Sequence, residues 1–200
     1  MNTFLQVAIA MVGMTGLAAA QPKADPKVAA ADPKMADPKA GGMGDMKGPP
    51  PELAEMAKAT SGTWTCKGQG MDHTGKMNDM TATMKMKLEL DGWWMHSSFE
   101  SKMGKDAFRF ESFTTFDPAS KKWKRVMVET DGGWASGESA GMKDNKVDWD
   151  LATHSAMMGD GMFRDHEDMS DAKAGVKMSG EMSMDKGKNW MPVYSMTCKK

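Results

Sequence analysis

The clearest pattern in this chain is a strict alternation of apolar and charged residues, which is typical of a β-strand with one buried face. From Met84 to Leu90, every even-numbered residue is apolar and every odd-numbered residue is charged. Residues 176–184 repeat the alternation, with apolar residues and one glycine on one side and polar side chains on the other. Shorter runs with strand character lie between these two, at residues 94–101, 108–116, 123–130, 134–141 and 146–151.

Short segments rich in Gly, Asp and Asn separate these runs, for example Asp91-Gly92, Asp117-Pro118 and Gly159-Asp160-Gly161. Short strands at about 8–12-residue spacing, joined by hairpin turns, indicate an antiparallel meander. An even strand count lets the first and last strands pair if the sheet closes, which removes exposed edges. The sequence therefore predicts an all-β fold, a closed antiparallel up-and-down barrel of about ten strands.

One short helix is predicted before the strands, over residues 51–60. Leu53, Met56 and Ala57 have the i, i+3, i+4 spacing of a helix face, and Glu52 lies where the helix dipole favours negative charge. Gly62 then ends the helix. We assign residues 51–200 to the β-barrel domain, a length suited to one domain with a single core.

The residues before the domain predict export. Residues 5–20 form an apolar and small-residue run that ends in three alanines, so residues 1–20 are interpreted as a signal peptide. The alternative is a transmembrane anchor, but an anchor needs roughly 20 apolar residues. Residues 21–50 contain three copies of Ala-Asp-Pro-Lys and too little apolar surface to fold, so they predict a disordered tether. We expect a periplasmic or secreted protein with no stable membrane span after cleavage.

The two cysteines, Cys66 and Cys198, lie in the first and last predicted strands. Antiparallel pairing of those strands in a closed barrel brings the two positions together, and an oxidising compartment favours a disulfide. Two reduced, buried thiols are the alternative, and this alternative holds if the signal peptide is misread.

Charge and motifs argue against two classes of function. The net charge of -1 provides no field to recruit DNA, RNA or an anionic membrane, so nucleic-acid binding is disfavoured. Residues 137–141 match G-x-S-x-G but lack the strand-to-helix context of a nucleophile elbow. We expect a monomeric protein that is not an enzyme.

Gly62 and Trp64, after a short helix, resemble the opening of calycin barrels, the lipocalin-like group. In that group the tryptophan packs in the barrel floor under a basic residue from the last strand, and the resemblance gives that role to Lys199 or Lys200. Four further motifs are Gly92-Trp93-Trp94, Phe116-Asp117-Pro118, Lys122-Trp123 and Asp131-Gly132-Gly133. With these motifs the chain from about residue 52 to 200 is similar to secreted bacterial domains of the domain-of-unknown-function family 1579. This second resemblance implies a fold and no activity.

The leading functional hypothesis is non-enzymatic binding of a small apolar ligand inside the barrel. Side chains that fill the interior completely would leave no pocket. The candidate lining residues are Trp64, Met86, Trp94, Phe110, Trp123 and Trp149.

The 25 methionines support an alternative, a methionine-rich periplasmic protein that binds Cu(I) or absorbs oxidants. Most in-strand methionines are expected to fill the core, because the domain contains no Ile. The candidate metal ligands surround one hairpin and are His154, Met157, Met158, Met162 and His166.

Haem is a second cofactor alternative, because some calycin relatives bind haem through one histidine inside the barrel. His96 is the best-placed candidate, since it follows Trp93 and Trp94 on a strand. Apart from copper and haem, we expect no cofactor.

Overall fold

The computed structural model describes residues 48–155, 159–171 and 173–200. The predicted signal peptide (1–20) and most of the predicted tether (21–50) lie outside the described residues. The described chain confirms one short helix and ten strands. These are α1 Pro51–Thr60, β1 Gly62–Met71, β2 Met77–Glu89, β3 Trp94–Met103, β4 Asp106–Asp117, β5 Lys122–Glu129, β6 Trp134–Ser139, β7 Lys146–Ser155, β8 Gly159–Asp168, β9 Val176–Ser183 and β10 Met191–Lys199.

The ten strands form a closed antiparallel barrel in which each strand pairs with its neighbours in sequence, as predicted. The ring closes where β1 pairs with β10, and this seam places Cys66 directly opposite Cys198. The two cysteines form a disulfide, and both are fully buried. One predicted turn is wrong, since β8 already begins at Gly159.

Alternate residues of each strand face the barrel interior, where they form two apolar clusters. One cluster lies on β1, β2, β3 and β10, and consists of Cys66, Met80, Ala82, Met84, Phe99, Met196 and Cys198. The other lies on β5, β6 and β7, and consists of Met127, Ala135, Val147, Trp149 and Leu151. Phe110 packs against both clusters and joins them. Four of the eight apolar residues other than Cys and Ala in these clusters are methionines, which agrees with their predicted role as core fillers.

Helix α1 covers one end of the barrel. Leu53 of the helix is fully buried, and Trp64 donates its indole N–H to the carbonyl of Thr60 at 2.8 Å. Lys200 follows β10 and places its Nζ 5.2 Å from the centre of the Trp64 ring. Lys200 therefore takes the position that the calycin resemblance gave to Lys199 or Lys200. The hairpins β1–β2, β3–β4, β5–β6 and β9–β10 lie at the opposite end, which we call the hairpin end.

Two glycines allow neighbouring strands to approach more closely than any side chain permits. A Cβ at Gly68 in β1 would lie 2.0 Å from the carbonyl oxygen of Ser195. A Cβ at Gly137 in β6 would lie 2.0 Å from the carbonyl oxygen of Asp150. Glycine inside a strand commonly marks a bend or a close backbone approach. These contacts therefore bring β1 against β10 and β6 against β7, at two places around the ring.

Candidate functional site

Five of the six predicted lining residues occupy inward positions of the barrel, but Trp94 does not. Trp94 lies on the outer face of β3, next to Met95, which faces inward and is 2% exposed. The prediction is wrong because a short 3-10 turn at Leu90–Gly92 separates β2 from β3. This turn pairs Leu88 with Met95, so the inward positions change from even to odd numbers. The five inward residues are Trp64, Met86, Phe110, Trp123 and Trp149.

Two of the inward tryptophans already make contacts within the protein. Trp64 belongs to the floor beside α1, and Trp149 is 1% exposed. The guanidinium of Arg125 lies 3.7 Å above the centre of the Trp149 ring. The Trp149 ring therefore presents no free face to a ligand, and the indole N–H of Trp64 is already bonded to the end of α1.

A charged cluster crosses the barrel interior, and nothing in the local sequence pattern had indicated it. Arg125 of β5 donates from Nη1 to Asp165 at 2.7 Å and from Nη2 to Glu167 at 2.8 Å. Both carboxylates come from β8, 40 and 42 residues further along the chain. One guanidinium is thus held by two carboxylates from a distant strand.

Neutral side chains complete the hydrogen bonding of this cluster. Trp149 donates its indole N–H to Glu167 at 3.1 Å, and Tyr194 of β10 donates its hydroxyl proton to Asp165. Among the described residues, no buried side-chain nitrogen or oxygen lacks a hydrogen-bond partner. Such complete pairing is what makes a buried charged network tolerable.

The electrostatics of the cluster follow from burial and charge pairing. Burial raises the pKa of the Asp165 carboxyl, and Arg125 opposes that rise. Burial alone would lower the pKa of Arg125, but Glu167 and Asp165 outweigh it, so the pKa of Arg125 is raised. Burial also raises the pKa of Tyr194 well above its ordinary value, and Asp165 adds to this rise. Arg125 is therefore a permanent cation, and Tyr194 a permanent hydrogen-bond donor.

Beside this cluster, several inward-facing aromatic residues keep accessible surface. Phe110 stacks on Phe99 with 4.8 Å between ring centroids, yet Phe99 is 4% exposed and Phe110 only half-buried. An inward side chain of a closed barrel gains such exposure from the interior or from an open end. We call the accessible set the inner aromatic face: Phe108, Phe110, Phe163 and Tyr194.

Glu129 adds a carboxyl group at the hairpin end of the interior. It pairs across the strands with Phe110, on the inward side of β5, four residues beyond Arg125. Burial and the neighbouring Asp131 carboxylate raise the pKa of Glu129 to about 7. No ion-pair partner for Glu129 lies among the described residues. This carboxyl therefore titrates near neutral pH, at a strand position opposite Phe110.

The raised pKa of Glu129 predicts a pH-dependent stability that Glu129→Gln removes. Between its ordinary pKa of 4.5 and the folded value of about 7, the folded state binds more protons than the unfolded state. The stability of the native protein therefore falls as pH rises through this window. As the pH rises from 5 to 8, the free energy of unfolding of the variant should rise by on the order of 1 kcal/mol relative to that of the native protein, after allowance for the partial exposure of Glu129. Urea unfolding at the two pH values measures this.

Glu100→Gln is the matched control, because Glu100 lies exposed on the outer face of β3. Its pH profile should parallel that of the native protein. A Glu129→Gln profile that also runs parallel to the native one would contradict the assignment of the titration to Glu129.

The predicted metal-binding group is not brought together in the part that the structure describes. Met157 and Met158 lie outside the described residues. His154 bonds through Nδ1 to Asp160 at 2.7 Å, and His166 bonds through Nδ1 to Asp148 at 2.7 Å. Asp160 and His166 lie six residues apart on β8, roughly 20 Å along an extended strand.

Met162, the remaining described candidate, lies on the same outer face of β8 and is exposed. Within residues 48–155, 159–171 and 173–200, no group of three or more His, Cys, Asp or Glu side chains is arranged to hold a metal ion. His154 and His166 therefore lie too far apart to bind one ion together.

His96, the best-placed candidate for the haem alternative, does not face the interior. It lies on the outer face of β3, stacked on Phe113 with 4.7 Å between ring centroids. Its two ring nitrogens contact carboxylates, Nε2 to Glu111 at 2.6 Å and Nδ1 to Glu89 at 3.1 Å. The prediction was wrong for the same reason as for Trp94, the change from even to odd inward positions between β2 and β3.

A shallow groove of about 580 Å³ lies on the outer wall, across β7, β8, β9, β10 and β1. Two charged pairs lie along it, Lys146 with Asp168 at 3.5 Å and His166 with Asp148 at 2.7 Å. Its charges are largely paired within the wall itself, so the groove is a weaker candidate site than the interior.

Among solved structures, the fold is similar to the crystal structure of Rv2717c from M. tuberculosis. The two share 9% sequence identity and a TM-score of 0.58, and the match covers 76% of this chain and 98% of that chain. At this identity the likeness shows a shared fold alone. No protein-family model and no curated protein matches the chain, so the resemblance to family 1579 stays a prediction. None of the described helices is long and apolar enough to cross a membrane.

Proposed function

We propose that the protein is a non-enzymatic binding protein that holds one small, largely apolar ligand inside the barrel. The inner aromatic face carries this proposal, because its side chains occupy inward positions of the barrel and yet are only half-buried. Ligand sites of this kind combine apolar and aromatic walls with a few fixed polar groups. Glu129 supplies a polar group at the hairpin end of these inward positions.

Two further observations are consistent with this role. The Cys66–Cys198 disulfide suits a secreted or periplasmic protein, because such bonds persist in oxidising compartments. Ser139 of the G-x-S-x-G match ends β6, is 4% exposed and accepts a hydrogen bond from the amide of Gly141 at 3.0 Å. Its strand position and burial do not favour a nucleophile.

Titration with the neutral fluorescent probe N-phenyl-1-naphthylamine tests the proposal. We expect a saturable, one-to-one rise in fluorescence. Phe108→Ser places a hydroxyl on the inner aromatic face and should weaken binding at least about fivefold. Val128→Ser is the control, because Val128 points outward from β5 and is 51% exposed, and it should leave binding unchanged. An absence of saturable binding, or equal effects of the two variants, would overturn the proposal.

A further inference from the structure

The inward positions of the barrel carry an excess of carboxyl groups. Along the strands of the described chain, Arg125 is the one inward-facing cation, and Asp165, Glu167 and Glu129 are inward-facing carboxyls. Asp106, at the hairpin end, is 53% exposed and lies 3.4 Å from His73, so it belongs to the rim and not to the interior. The interior is therefore acidic, although the outer wall carries charges of both signs.

Arg125 is not available to an anionic ligand. Its two terminal nitrogens already bind Asp165 and Glu167, its Nε lies 3.4 Å from the hydroxyl of Thr114, and one face of the guanidinium covers Trp149. A ligand carboxylate would have to displace a buried carboxylate that has the same charge and better geometry. The second carboxylate of the cluster would also repel the ligand carboxylate. The cluster thus disfavours a fatty-acid-like anion in the interior.

Glu129, in contrast, has no cation in contact with it among the described residues, and its carboxyl shares a hydrogen bond with the Asp131 carboxyl. Its register partner is Phe110, whose ring lies 6.2 Å from that of Phe108. A carboxylate and aromatic faces together recognise an ammonium group, through a charge-assisted hydrogen bond and cation–π attraction. Glu129 therefore offers a recognition point for positive charge at the hairpin end of the interior.

We infer that the ligand is an amphipathic cation, an alkyl or aryl amine whose apolar body contacts the inner aromatic face and whose ammonium group binds Glu129. This inference rests on the proposed function, since it names the chemical class of ligand for the same interior site. The excess of carboxyl groups sets the sign of the ligand's charge, and the half-buried aromatic rings set its apolar character.

Competition between three probes of equal chain length tests the inference: decylamine, decanol and decanoate, each displacing N-phenyl-1-naphthylamine at neutral pH. Decylamine should bind most tightly and decanoate most weakly, with at least about a tenfold difference between them. Glu129→Gln should reduce the affinity for decylamine several-fold and leave that for decanol unchanged. Glu100→Gln, on the outer face, should change neither affinity.

The outcomes separate the two proposals. If none of the three compounds displaces the probe and the probe itself does not saturate, the interior binding function fails. If decanol and decanoate compete as well as decylamine, the binding function stands and the inference of a cationic ligand fails. The inference also fails if decylamine binds best but Glu129→Gln does not weaken it, because Glu129 then does not recognise the ammonium group.

Discussion

Replacement of Arg125 by methionine is expected to lower the free energy of unfolding by about 3 to 5 kcal/mol at neutral pH, because it leaves buried carboxylates without their cation. Asp165 is 4% exposed, and its charge is held in the interior by Arg125 together with the hydroxyl of Tyr194. Methionine keeps most of the volume of the arginine stem, so lost packing contributes little. Chemical unfolding followed by tryptophan fluorescence measures the change.

If lost charge pairing causes this destabilisation, its size should depend on pH. In the Arg125→Met variant the buried carboxyls favour protonation, so the folded state binds more protons than the unfolded state. The deficit in stability relative to the native protein should therefore shrink as pH falls from 7.5 towards 5. Combining Arg125→Met with Asp165→Asn should recover part of the loss at neutral pH.

Arg109→Met is the matched control for this experiment. Arg109 lies exposed on β4, 3.9 Å from Glu100, and exposed pairs contribute about 1 kcal/mol or less. We expect little change at any pH. If Arg125→Met lowers the free energy of unfolding equally little, or by an amount that does not vary with pH, the proposed role of the cluster is contradicted.

The architecture could be predicted from the sequence because its signals are local. Alternation with period two identifies strands, glycine-rich and aspartate-rich segments mark the hairpins between them, and an even strand count permits closure. The positions of Cys66 and Cys198 near the ends of the domain then agreed with a seam between the first and last strands. Helix α1 begins and ends where its apolar spacing predicted.

The candidate site could not be predicted in the same way, because it depends on contacts between distant strands. In β5 the apolar residues Val126 and Val128 face solvent, whereas Arg125 and Glu129 face inward. Local hydrophobicity favours the opposite orientation. Arg125 is stable inside only because β8, about 40 residues away, brings two carboxylates to it. No periodicity within one strand reveals such a partner.

Loop geometry accounts for the other errors. The inward positions of β3 follow from how the turn at Leu90–Gly92 aligns the strand with β2, and one residue more or less reverses the faces. Trp94 and His96 were both assigned inward and both lie outside. Predicting which face of the sheet a side chain occupies therefore requires the strand register as well as the alternation pattern.

Removal of the disulfide is expected to have the largest effect on stability, with Cys66→Ala and Cys198→Ala combined lowering the free energy of unfolding by about 5 kcal/mol. The bond joins residues 132 apart in sequence, so it strongly restricts the unfolded chain. For a domain of about 150 residues this corresponds to a fall in Tm of roughly 10 to 20 °C. Thermal unfolding of the oxidised native protein and of the variant measures the difference, and the reduced native protein should behave like the variant.

The position of the bond predicts where the weakened barrel opens. Each of the other pairings joins strands that are consecutive in sequence and held by a short connection, whereas β1 and β10 are held only by hydrogen bonds, packing and this disulfide. In the double-alanine variant, amide hydrogens along the β1–β10 seam should exchange earlier than those of β3–β4, because opening the seam does not require a hairpin to separate. A Tm within a few degrees of the native value, or exchange that accelerates equally in all strands, would mean that the seam does not depend on the disulfide.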